Sequence, residues 1–146
     1  MSLIDSKKNN INEVFLVTTS IEDTWPKTNP IVFLGEWCRL YNRKSYWKTL
    51  NNKIVPYHWD DRLKFQKDYQ YLNDVHEMLL VELTSQLNKL HGVKHSSRYW
   101  RIFIGPWLKC FVEVLFDRWS MLNKAFNNYK INKCNILERD AMELIP

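Results

Sequence analysis

At 146 residues, with 45% hydrophobic and 25% charged side chains, the chain can bury a core and falls in the globular class rather than the disordered or collagenous ones. Its net charge of +5, from 21 Lys and Arg against 16 Asp and Glu, is scattered, which argues against a nucleic-acid partner and leaves room for anionic ligands. No run of about eighteen apolar residues offers a membrane span.

The opening, "MSLIDSKKNNINEV", lacks the apolar stretch of a signal peptide, and residues 1–12 are expected to be disordered or loosely ordered. "EVFLVTT" (13–19) is a compact β-branched run that predicts a buried strand. A loop with two prolines follows, and "IVFLGEW" (31–37) predicts a second strand ending near Gly35. Residues 38–50 suit a short helix. A third strand lies within "NNKIVPYHW", and Pro56, which has no N–H to donate, places it at a sheet edge.

A long helix is predicted from about Asp60, with apolar residues recurring at 65, 69, 72, 75, 79, 80, 83, 87 and 90. Asp60 or Asp61 suits its N-cap, Asp60 being favoured, and Gly92 its end. A second long helix is predicted from Ser96 or Ser97, with Pro106 kinking or breaking it. Its apolar face is broad enough to need a cover on more than one side. The polar stretch 131–146 is expected to be a tail leading out of a domain spanning 13–130. The element order predicts an α/β fold, a small parallel sheet packed with two long α-helices.

Two clusters carry chemistry-bearing residues. In "IVPYHWDDR" (54–62), His58 titrates near neutrality, and Asp60 and Asp61 can orient it where a strand hands over to a helix. Both aspartates are also explained as helix caps. Glu36 stands in a similar place after the second strand, as a base or as an ordinary loop carboxylate. In "HSSRYWRIFIGPW" (95–107), Arg98 and Arg101 share one side of a helix start, suited to a phosphate or carboxylate. The alternative is that they pair with Asp60, Asp61 or Glu36. The seven tryptophans fill the core or, for a few, line a sugar-binding cleft. No ligand spacing points to a metal, no G-x-S-x-G elbow is present, and with three glycines there is no phosphate-cradling loop. Cys38, Cys110 and Cys134 are odd in number and far apart, which suits free thiols in the cytoplasm.

"FLGEWCRLY" (33–41), "PYHWDDR" (56–62), "KDYQYL" (67–72) and "HGVKHSSRYWRIFIGPWL" (91–108) together resemble the N-terminal part of a bacterial family, the LIC12162-type transferases of surface polysaccharide and O-antigen biosynthesis. The resemblance covers nearly the whole chain in order. It implies a glycosyltransferase-like enzyme of two lobes, of which this chain would supply a partial Rossmann-like (GT-B-like) N-terminal lobe on the acceptor side. The family's members are several-fold longer, so the nucleotide-sugar donor is expected to bind in a C-terminal part and this chain alone to be inactive.

In such an enzyme the two polar-aromatic clusters make His58 the expected general base, oriented by Asp60, Asp61 or Glu36. Arg62, Arg98 and Arg101 are expected on anionic groups, and Trp37, Trp59 and Trp100 on sugar rings. The expected partner is a carbohydrate or lipid-linked acceptor, in the cytoplasm or at the inner face of its membrane. The alternative is a non-catalytic module that binds glycan or a partner protein. The sequence sets no oligomeric state.

Overall fold

The computed structural model describes residues 13–27 and 30–137, so the expected loose N-terminus and the end of the tail lie outside the described residues. Strands β1 (Val14–Val17), β2 (Ile31–Phe33), β3 (Asn52–Ile54) and β4 (Ile131–Cys134) form one sheet, all parallel, in the order β3-β2-β1-β4. Helices α1 (Lys44–Trp47), α2 (Arg62–His91) and α3 (Ser97–Asn128) complete the α/β fold that the sequence predicts. The described residues divide into two compact units, one on either side of residues 57–121 in the sequence and one made of residues 57–121 themselves.

The first unit holds the sheet. Every residue of β1 and β2 is buried, as continuous apolar runs in the middle of a parallel sheet should be. β3 is only half-buried and stands at the edge that Pro56 predicts. The other edge is β4, with Asn132 and Lys133 exposed, and lysines on both edge strands discourage pairing with other chains. Residues 131–134 read from sequence as part of a polar tail; they instead form a strand, with Ile131 opposite Val14, Cys134 opposite Leu16 and a register shift after Val14.

Beyond the carboxyl end of β1 the main chain is capped by indoles. Trp37 donates to the carbonyl of Thr18 (3.3 Å) and Trp25 to that of Thr19 (2.9 Å). Gly35 permits this, because a Cβ there would lie 2.0 Å from the Trp37 ring. The requirement is space and not backbone strain, since φ is −170°. The helix expected over 38–50 is a 3-10 turn at Tyr41–Arg43 running into α1.

The second unit is a helical hairpin. The carboxylate of Asp61 accepts from the amides of Leu63 and Lys64, both at 3.0 Å, so Asp61 and not Asp60 caps α2. Gly92 ends α2 in the left-handed conformation, φ 64°, which only glycine adopts without penalty. Ser96 caps α3 by accepting from the amide of Tyr99 (3.3 Å). α3 then runs through Pro106 without the break that proline suggested. Leu72 and Leu80 of α2 pack with Leu108 and Val112 of α3 to form the hairpin core. That burial is the driving force which outweighs the roughly 3 kcal/mol an interior proline costs a helix. His76, buried in the hairpin, reaches the Gly105 carbonyl at 3.2 Å.

Candidate active site

Between Pro56 and the cap of α2, residues His58–Asp60 form one 3-10 turn, and this turn packs against α2. His58 is turned inward, with 3% of its surface exposed. Its Nε2 lies 3.0 Å from Oδ1 of Asp117 on α3, and its Nδ1 lies 3.4 Å from Nζ of Lys64 and 4.0 Å from Oδ2 of Asp68, both on α2. Lys64 also pairs with Asp68, one helical turn on, and the indole of Trp59 donates to the same carboxylate at 2.9 Å. Arg118 donates to Oδ2 of Asp117 at 2.9 Å.

Aromatic rings enclose the cluster. The Trp59 ring lies 4.5 Å from the imidazole, Tyr57 at 5.2 Å and Phe116 at 6.2 Å, centroid to centroid. Lys64 sits over the face of Phe116 at 5.4 Å. An apolar groove of about 490 Å³ between α2 and α3 shares Phe116 as a wall.

Burial pushes the His58 pKa below its ordinary value. The hydrogen bond to Asp117 works the other way without reversing the shift, and Lys64 adds to it. His58 is therefore a neutral imidazole at neutral pH, its Nε2–H donated to Asp117 and its Nδ1 lone pair facing Lys64. Burial and the Asp117 charge push the Tyr57 phenol up to about 12, so it stays protonated and hydrogen-bonded to that carboxylate. Burial also raises the Asp68 carboxyl, but the bonds from Lys64 and Trp59 outweigh it and hold the group below the usual range. A neutral imidazole between two carboxylates can take up a proton and find the resulting charge matched on both sides.

Of the residues singled out in the sequence, the structure brings His58 and Trp59 together. Asp61 is occupied as the α2 cap, and Asp60 ends the 3-10 turn with its side chain exposed. Glu36 is exposed in the sheet unit and pairs with Arg39, while Trp37 covers the end of β1. Arg101 pairs with Glu77, whose carboxyl this bond holds down at about 2. Arg62 and Arg98 are exposed. Trp100 is buried at 6%, with its indole N–H donated to Asn88 (2.9 Å).

Sequence reading missed Lys64, Asp68 and Asp117. The i, i+4 spacing of Lys64 and Asp68 on a predicted helix was the available signal for that pair. For Asp117 the signal was a carboxylate inside the apolar run "VLFDRW", where a buried charge needs a partner. Among the described residues, no group of three or more His, Cys, Asp or Glu is placed to hold a metal ion. No described helix is long and apolar enough to cross a membrane.

Compared with known proteins, residues 14–146 match the family model described as LIC12162 family transferase. No curated protein and no solved structure matches the chain.

Proposed function

Because the chain belongs to the LIC12162 family of transferases, we propose that it serves the acceptor side of a glycosyl transfer in the assembly of surface polysaccharide or O-antigen. The observation that carries this reading is the neutral His58 held between Asp117 and the Lys64–Asp68 pair, with aromatic faces beside it. In this reading an acceptor hydroxyl gives its proton to Nδ1 of His58 once the Lys64 ammonium swings aside. The freed oxygen attacks the anomeric carbon, and the nucleoside diphosphate leaves with the bonding electron pair. The imidazolium then lies between Asp117 and Asp68. Trp59 and Tyr57 offer flat faces to the sugar, and the exposed Arg62 and Arg98 suit anionic groups of a lipid-linked acceptor.

The strand order β3-β2-β1-β4 supports a partial Rossmann-like lobe, since doubly wound sheets reverse direction between β1 and β4 in this way. The donor nucleotide sugar is assigned to other parts of the enzyme, because no glycine-rich phosphate loop follows β1. The setting is the cytoplasm, at the inner face of the membrane where lipid-linked acceptors are presented.

The test is nucleoside diphosphate release by a full-length family member that carries this N-terminal sequence. Replacing His58 by Ala should lower turnover on the order of 10²-fold. Turnover close to the parent value overturns the base assignment. The second reading, a non-catalytic glycan- or partner-binding module, is favoured by the deep burial of His58 and the engagement of both its ring nitrogens. It expects His58→Ala to lower thermal stability while leaving turnover unchanged.

A further inference from the structure

Lys64 and Asp68 are one turn apart on α2, so their side chains meet, and the pair they form lies against the Nδ1 edge of the His58 ring. From that edge the ammonium acts on His58 twice. At 3.4 Å it occupies the Nδ1 lone pair, which no hydroxyl can then use. Its charge also opposes a proton there, adding to the burial that holds the imidazole neutral.

The next charge on that side has the opposite sign. Oδ2 of Asp68 lies 4.0 Å from Nδ1, while Oδ1 of Asp117 lies 3.0 Å from Nε2. The other polar neighbours leave this balance alone. Tyr57 and Arg118 are bonded to Asp117, Trp59 donates to Asp68, and Asp60 is exposed. With the ammonium in place, the ring faces a cation at one nitrogen and a carboxylate at the other. With it withdrawn, a carboxylate faces each nitrogen, and both favour the protonated ring. One side chain thus decides whether His58 is a masked, weak base or an open, stronger one.

Lys64 is also the member of this trio that can leave. Its side chain is 38% exposed, against 16% for Asp68 and 3% for His58. A flexible four-carbon stem lets the ammonium swing out without moving the backbone. In leaving it gives up the Asp68 carboxylate and the face of Phe116. A neutral hydroxyl replaces neither. A phosphate, with several anionic oxygens, forms charge-assisted hydrogen bonds that compete with a carboxylate. Lys67, exposed three residues on along the same side of α2, gives such a group a second cation.

We propose that Lys64 is a positioning residue that masks Nδ1 of His58 until a phosphate group of the acceptor draws its ammonium from Asp68, so that the acceptor's own charge unmasks the base. The proposal rests on the acceptor-side reading of this cluster and adds to it the acceptor's charge and the order of events.

The test is an NMR pH titration of the chain with isotope-labelled histidine side chains, the His58 signal being assigned by its loss in His58→Gln. Sodium sulfate, a tetrahedral dianion whose charge is fixed over the titration, stands in for free phosphate. Dihexanoyl phosphatidylglycerol below its micelle concentration supplies a lipid phosphate. In the parent, one or both should move the His58 midpoint upward relative to sodium chloride of equal ionic strength, while His76, His91 and His95 stay in place. A response to sulfate assigns recognition to the oxyanion itself, and a response to the lipid alone assigns it to a lipid headgroup. Lys64→Met should start from a raised midpoint and respond to neither. No shift in the parent, an equal shift with chloride, or a response in Lys64→Met equal to the parent's overturns the proposal. The parent titration needs no substitution, so it decides the matter even if Lys64→Met fails to fold. In a full-length family member, Lys64→Met should lower the preference for a phosphorylated over an unphosphorylated acceptor on the order of tenfold, within the usual range of coupling between sites. An unchanged preference overturns the masking role, while His58→Ala separately decides the base.

Discussion

The two units use tryptophan differently. In the sheet unit, Trp25, Trp37 and Trp47 donate to the main-chain carbonyls of Thr19, Thr18 and Leu40. In the helical unit, Trp59 and Trp100 donate to the side chains of Asp68 and Asn88, while Trp107 and Trp119 stand about 60% exposed, at 62% and 61%. An indole bound to backbone seals a loop whatever side chains surround it. An indole bound to a side chain belongs to a local network, and an exposed one contributes little to the fold. Aromatic richness alone therefore does not identify a sugar platform; the partner of each indole does.

The sharpest way to break this contrast is within α3. Trp100→Ala should cost about 3–5 kcal/mol in urea unfolding, as buried aromatic truncations do. Trp107→Ala should stay within about 0.5 kcal/mol of the parent, as an exposed position does. Equal losses would erase the distinction between buried and open tryptophans. In the sheet unit, Gly35→Ala drives a methyl into the Trp37 ring, with an expected cost of about 1–3 kcal/mol. A double-mutant cycle should show much of that cost removed in a Trp37→Ala background; additive losses would deny the contact. At the α2 start, Asp61→Ala should cost about 1 kcal/mol and Asp60→Ala much less, which thermal melts of the two variants would resolve.

The smallest expected effect is on pH dependence. The His58 pKa is depressed by burial, so below the ordinary histidine value the unfolded chain takes up a proton that the folded chain refuses. Stability is fully present above about pH 6.5, falls as pH drops below it, and levels off once the folded pKa is passed. His58→Gln should flatten the urea midpoint over that window. Asp68 and Glu77, both held below the usual carboxylate range, lose their contribution only at more acidic pH. A variant that keeps the full slope would place the titration elsewhere.

Elements with a local cause were legible in the sequence. β1 and β2 are apolar runs, α2 and α3 repeat at helical spacing, Pro56 marks an edge and Gly92 a helix end. β4 was not legible, because an edge strand needs few apolar residues and its pairing with β1 is long-range. The unbroken passage of α3 through Pro106 was hidden for a similar reason, since tertiary burial overrides a local preference. At the candidate site, His58 and Trp59 were visible as residue types with reactive or stacking potential. Their partner Asp117 lies far along the chain, and no spacing rule links two positions joined only by a fold. Arg98 and Arg101 looked equivalent in sequence, yet only Arg101 faces Glu77 across the hairpin.

The pairing of β1 with β4 also sets a timetable for folding. β1 must wait for a strand that begins at Ile131, whereas the α2–α3 hairpin closes through a five-residue turn and local contacts. At about 5–20 residues per second of synthesis, one side of the Val14–Val17 backbone stays unpaired for roughly 6–25 seconds as the chain emerges. During that interval its unsatisfied amides and carbonyls form a sticky template, so slow translation of the α2–α3 region is the stage at which nascent chains are most exposed to aggregation.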